Sequence, residues 1–208
     1  MPLENTSTSP GRIATTGAGI TLAGARALNV LQGMALAWGF FLGVVILTGL
    51  GHASPSTLAG IDAVRSDPSV ADAVRLADLP LGARLAAWIG TVAIFLAWSA
   101  VLGAAARVSR QVSAGEPFVP GVAAALRVAA WACGAAAVLV PGMWVATAAQ
   151  VNRWASAAPS PWGEVSVHTS GVPFDTVAGL LVGAVVAAVL ASAFGHGSRL
   201  RQETDGLV

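Results

Sequence analysis

Four long apolar runs without an Asp, Glu, Lys, Arg or His divide this chain: Val30 to Leu50, Leu85 to Ala106, Val128 to Ala149 and Thr176 to Phe194. At ~1.5 Å rise per residue, each is long enough as a helix to cross a ~30 Å hydrocarbon layer. Short polar segments lie between them and carry the charges. The pattern predicts an all-α fold, an integral membrane four-helix transmembrane bundle. Its spans are 30–50, 85–106, 128–149 and 176–194, within a transmembrane domain covering 27–195. Residues 1–26 are rich in Ser, Thr and Gly and lack apolar periodicity, so they predict a disordered tail. Residues 196–208 form a second, short polar tail. The first apolar run exceeds the roughly 7–15 residues of a secretory signal core. It is read as an uncleaved anchor, although Gly51-His52-Ala53 loosely resembles a cleavage site.

Within the last run, small residues recur at every fourth position: Gly179, Gly183, Ala187, Ala191 and Gly195. Such spacing makes one helix face on which another backbone approaches closely. Pro141 sits near the middle of the third run and cannot donate to the carbonyl of Ala137, which predicts a kink. Thr48, Thr91, Ser99, Cys133, Thr147 and Ser192 are read as groups for helix-to-helix hydrogen bonding, with Cys133 a small apolar filler. Trp38, Trp98, Trp131 and Trp144 are read as core and interface packing, and Trp88 as a headgroup-level ring. Residues 51–84 contain one tetrapeptide twice, Asp62-Ala63-Val64-Arg65 and Asp72-Ala73-Val74-Arg75. Asp and Arg three apart share a helical face, which predicts two short amphipathic helices on the membrane surface. In the segment 150–175, Trp154 and Trp162 near Pro159 and Pro161 suggest a loop resting on the interface.

Composition agrees with the pattern. The chain is 55% hydrophobic and only 10% charged, against about a quarter charged in a soluble domain. The net charge of +1 gives no sign of direct nucleic acid binding. Every basic residue is Arg, and their distribution predicts orientation. With the N-terminus inside, the inner segments hold Arg12, Arg26, Arg107, Arg110, Arg127, Arg199 and Arg201, and the outer loops hold Arg65, Arg75, Arg84 and Arg153. The positive-inside bias therefore places both termini in the cytoplasm of a multi-pass protein.

The chemistry-bearing residues are sparse. Ion and proton pathways usually need ionisable groups at depth, and the spans have none. His52, His168 and His196 stand at no metal-ligand spacing, and the single cysteine excludes an intramolecular disulfide. No paired acid and base, nucleophile constellation or phosphate-binding loop appears, so the sequence predicts neither an enzyme, a metal site nor a cofactor.

Two polar pieces are more specific. Ala114-Gly115-Glu116-Pro117-Phe118-Val119-Pro120 precedes Leu126-Arg127. Gly115 breaks the preceding helix, Pro117 stiffens the restart, Phe118 inserts at the interface and Arg127 anchors the next span. The second piece is the terminal Phe194-Gly195-His196-Gly197-Ser198-Arg199-Leu200-Arg201-Gln202-Glu203-Thr204-Asp205-Gly206-Leu207-Val208. Together these resemble an uncharacterised family of bacterial four-span membrane proteins. Its members carry G-[DE]-P-F after the second span and end in a close variant of F-x-x-G-x-x-L-R-x-[DE]-x-[DE]-G-L-V. The resemblance covers roughly residues 28 to 208. It departs at Gly121 to Ala125, which reads GVAAA where relatives have an Asn and extra basic residues, so no basic-surface role is carried over to that loop. The resemblance implies a bacterial cytoplasmic membrane protein without established activity. It also implies a regulatory partner, because some members are encoded beside a small helix-turn-helix regulator.

The resulting expectation is a non-enzymatic membrane protein. Gly115, Glu116, Pro117, Phe118, Arg127, Arg199, Leu200, Arg201 and Glu203 either dock a cytoplasmic partner or pack the tail back on the inner loop, with Arg201 near Glu116. Leu207 and Val208 would add apolar contacts. The alternative is a subunit of a small transporter or channel, homo-oligomeric through Gly179, Gly183, Ala187 and Ala191.

Overall fold

The computed structural model describes residues 11–50, 61–64, 77, 79–157, 166–169 and 174–205. Four helices account for nearly all of them: α1 (Gly11–Thr48), α2 (Leu81–Ser113), α3 (Pro120–Ala157) and α4 (Phe174–Asp205). Each contains a stretch long and apolar enough to cross a membrane: Ala23–Thr48, Leu81–Ser113, Pro120–Trp154 and Phe174–Thr204. The chain is a multi-pass membrane protein with an all-α bundle fold. Successive helices run antiparallel and pack mainly on their chain neighbours, α1 on α2, α2 on α3 and α3 on α4. Contact between α2 and α4 is slight. One end of the bundle gathers Arg26, Arg107, Arg110, Arg127, Arg199 and Arg201, and is called the arginine-rich end below.

The helices are longer than the apolar runs. At ~1.5 Å per residue, the 32 residues of α4 extend about 48 Å, well beyond the ~30 Å hydrocarbon layer. Residues 196–205, expected as a polar tail, continue the fourth span without a break. Likewise α1 begins at Gly11, so residues 11–26 are helical where a disordered tail was expected. Extending an existing helix costs far less than nucleating one, and no proline follows Pro10 in this stretch. Tertiary contact adds support: Ala25 is buried, and Gly24 faces Ser109 of α2.

Packing is carried by small side chains. Alanines dominate the buried set on α2 and α3, among them Ala83, Ala87, Ala97, Ala104, Ala129, Ala136 and Ala137. Many large residues face outward: Phe40, Trp131, Val138, Val182 and Val185 are all exposed on the bundle surface. This is the arrangement expected in lipid, where bulky apolar groups lose nothing by facing outward and small ones let backbones approach. Trp38, Trp98 and Trp131 accordingly point to the bilayer side and not into a core. Two glycines of α1 seat aromatic rings of α2. A Cβ on Gly39 would fall 2.7 Å from Phe95 Cγ, and one on Gly43 would fall 2.6 Å from Trp88 Nε1. Trp88 is thus an α1–α2 packing residue, a role beyond that of a headgroup anchor.

At the other end, α1 stops at Gly49, whose φ of 71° only glycine adopts without strain. Arg84 donates from Nη1 to the carbonyl of Leu47 at 3.2 Å, placing a cation at the negative end of the α1 dipole. Around it pack Ile46, Leu79, Ala83, Ala87 and Val151, with Trp88 and Trp154 against them. Trp154 therefore belongs to the last turns of α3 and not to an interfacial loop.

Strands β1 (Ile61–Val64) and β2 (Ser166–Thr169) pair antiparallel, Asp62 opposite His168. Asp62 to Val64 of the first tetrapeptide copy thus lie in a strand and not in an amphipathic helix, and Arg65 lies outside the described residues. Ile61 and Val64, and Val167 and Thr169 on the partner strand, are β-branched residue types that favour strand, and pairing overrides a weak three-residue charge spacing. The second copy, 72–75, lies outside the described residues, as do Trp162, Pro159, Pro161 and His52.

The span hydroxyls also differ from expectation. Thr48, Thr91 and Thr147 donate to carbonyls one turn back on their own helices, Val44 (2.7 Å), Ala87 (2.9 Å) and Met143 (2.8 Å). Intrahelical back-bonding satisfies a hydroxyl in lipid without needing a partner helix. Thr91→Val and Thr147→Val are therefore expected to change unfolding free energy by under about 1 kcal/mol each. A detergent unfolding titration checks this, and a cost above about 2 kcal/mol would reveal an interhelical role.

Candidate functional site

The two motifs singled out in the sequence meet at the arginine-rich end. The α2–α3 turn is built by glycine and proline. Gly115 has φ of 75°, its N–H donates to Val112 at 3.1 Å, and the N–H of Glu116 donates to Gln111 at 2.9 Å. That pair of bonds around a left-handed glycine is a Schellman motif, which satisfies the orphan carbonyls of α2. Pro117 follows, and Pro120 opens α3, where a missing N–H costs nothing.

Between the two prolines, Phe118 turns toward α4. Its ring lies 5.9 Å from that of Phe194, tilted by 45°. Its edge also occupies the space a side chain at Gly197 would fill. The loop and the α4 extension are thus joined through Phe118, Phe194 and Gly197, while Glu116 is exposed. The packing-back of the tail takes an aromatic form at this point. Phe118→Ala is expected to loosen residues 195–205, raising their amide exchange about tenfold, since such an aromatic pair is worth about 0.5–1.5 kcal/mol beyond its burial. Hydrogen exchange read by mass spectrometry checks it.

Beyond that contact the extension is solvent-accessible. Arg199, Leu200, Arg201 and Glu203 are all exposed, Leu200 at 64%. The helix is stitched locally: Ser198 donates to Gly195 at 2.9 Å, and Thr204 donates to Arg201 at 2.8 Å. His196 Nδ1 lies 2.8 Å from the carbonyl of Ser192, a hydrogen bond when Nδ1 carries the proton. Leu207 and Val208 lie outside the described residues.

The small-residue face of α4 is used within the chain. Ala187 and Ala191 are buried with Val122, Leu126 and Ala129 of α3 and with Ala104 of α2. A Cβ on Gly183 would rest 3.7 Å from Cys133 Sγ, ordinary contact distance, so Cys133 fills the gap that glycine leaves. Gly179 stands apart: it is exposed, and open space surrounds it.

Beside this contact, α3 and α4 diverge into a groove of about 820 Å³. Pro120, Ala123, Arg127, Ala130, Trp131 and Gly134 line one wall, and Ala184, Val185, Ala188, Ser192, His196 and Arg199 the other. Arg127, an expected span anchor, and Arg199, an expected tail residue, therefore border the same space. Sequence reasoning missed this groove because it arises between two helices. It also missed Gln32, which with Asn29, Ser99, Arg107 and Arg110 lines a smaller cavity of about 310 Å³ where α1, α2 and α3 meet. Gln32 was legible as the most polar residue of the first apolar run. Compared with family models, with curated proteins and with solved structures, the chain finds no match.

Proposed function

We propose that this protein is a non-enzymatic platform of the bacterial cytoplasmic membrane, with both termini inside, that presents the α4 extension to a cytoplasmic partner. The observation that carries the reading is the continuation of α4 as helix to Asp205, with Leu200, Arg201 and Glu203 exposed on it. A helix that projects from the membrane and is braced at its base by Phe118 holds these side chains in a fixed arrangement, which lowers the ordering cost of binding. An apolar residue flanked by both signs of charge suits a protein surface better than a uniformly charged polymer. The resemblance noted in the sequence supports a small helix-turn-helix regulator as that partner.

The test compares the intact tagged chain with the double variant Leu200→Asp, Arg201→Glu, each purified gently from native membranes. The expected result is a regulator that copurifies with the intact chain and is lost with the variant, at equal membrane levels of both. Equal capture by both, or no regulator with either, would reject the platform reading. In the latter case, a stable homo-oligomer that supports solute flux in vesicles would move the assignment to a transporter or channel subunit.

A further inference from the structure

The groove between α3 and α4 is chemically divided along its length. Arg127, His196, Arg199 and Ser192 stand toward the arginine-rich end, while Trp131, Val185 and Ala188 continue the lining along the spans. The polar α4 residues Ser192, His196 and Arg199 recur at helical spacing, so they form one wall. Among the described residues, neither Arg127 nor Arg199 forms an ion pair, so no described carboxylate pairs with either cation. The apolar part lies within the membrane-spanning stretches Pro120–Trp154 and Phe174–Thr204. Its walls open outward, with Trp131 79% exposed and Val185 63% exposed. The medium at that opening is hydrocarbon, so an acyl chain is the ordinary occupant of the apolar half. The two arginines then select the headgroup, because basic sites between transmembrane helices favour anionic lipids.

The geometry points to this groove as a site for one anionic phospholipid, its phosphate between Arg127 and Arg199 and one acyl chain along Trp131, Val185 and Ala188. Arginine suits phosphate through its planar donor fork. The groove's size falls within the usual range of small-molecule sites, about 300–1,000 Å³. The inference goes beyond the partner reading and does not use Leu200 or Arg201.

Native mass spectrometry of the full chain in detergent tests it, with phosphatidylglycerol and phosphatidylcholine of identical acyl chains as probes. At ~1 kcal/mol per arginine near a lipid phosphate, a preference of about ten- to thirty-fold for phosphatidylglycerol is expected. Arg127→Gln with Arg199→Gln should reduce it to below about threefold. The same charge loss at Arg107 and Arg110, outside the groove, should leave it intact. Ala188→Trp keeps every charge but fills the apolar lane, and should weaken phosphatidylglycerol binding about tenfold, as expected for a blocked, otherwise intact site. Free glycerol phosphate should not displace the lipid at equal concentration. Loss of preference in the Arg107 and Arg110 variant equal to that in the groove variant would mean diffuse attraction and overturn the site. Indifference to Ala188→Trp, or displacement by glycerol phosphate, would overturn the lipid assignment. No preference in the unmodified chain would also overturn it.

Discussion

Replacing Gly39 and Gly43 together by valine is expected to break the α1–α2 interface and give a large stability loss. Both glycines lie one turn apart on α1, and each receives an aromatic ring from α2. A Cβ at either position would fall under 3 Å from Phe95 or Trp88. Rings held between two helices cannot swing clear without opening the interface, so the clash is relieved only by separating the helices. Overpacking of this kind costs about 1–3 kcal/mol per site, and the two sites are close enough to couple. A combined loss of about 3–5 kcal/mol is expected in a detergent unfolding titration followed by tryptophan fluorescence. Gly33→Val on the same helix is the control, because nothing lies within 4 Å of its missing Cβ. Pairing Gly43→Ala with Trp88→Leu should recover part of the loss. A double variant no less stable than Gly33→Val would show that the rings are not seated on these glycines.

Gly49→Ala should be the most costly single methyl addition at a helix end, and comparison with Gly115→Ala separates its two causes. Both residues have left-handed backbone, with φ of 71° and 75°. That strain alone costs about 1 kcal/mol for alanine. At Gly115 nothing else opposes the new methyl group. At Gly49 it would lie 2.7 Å from Cα of Ala77, a backbone atom that cannot rotate away. The expected losses are about 1 kcal/mol at Gly115 and about 2–4 kcal/mol at Gly49. Equal losses at the two positions would mean that the chain near Ala77 yields freely.

The contrast between these glycines and the α4 stripe shows what was legible in the sequence. The four spans could be found because membrane insertion acts on each segment alone, through its own length and apolarity. The α2–α3 turn could be found because Gly115 and Pro117 act on their own backbone. Gly39 and Gly43 were overlooked because their meaning depends on Phe95 and Trp88, which lie on another helix. The stripe of α4 was visible as a period but gave no partner, and the structure places Ala187 and Ala191 against α3 while leaving Gly179 open. Thr91 and Thr147 misled for a related reason, since composition does not say whether a hydroxyl bonds across to another helix or back along its own. The groove is the extreme case: Arg127 and Arg199 are 72 positions apart in the chain, and only antiparallel packing of α3 and α4 brings both to its edge.

Neighbour-only packing also sets an order of assembly. Each helix finds its main contact surface on the helix made just before it, so every interface can close as soon as the later segment leaves the ribosome. The α1–α2 hairpin, with its aromatic seats, can close before α3 has left the ribosome, and α4 is the last helix available to dock. Biogenesis can therefore proceed one hairpin at a time, without an early segment waiting in the bilayer for a distant mate.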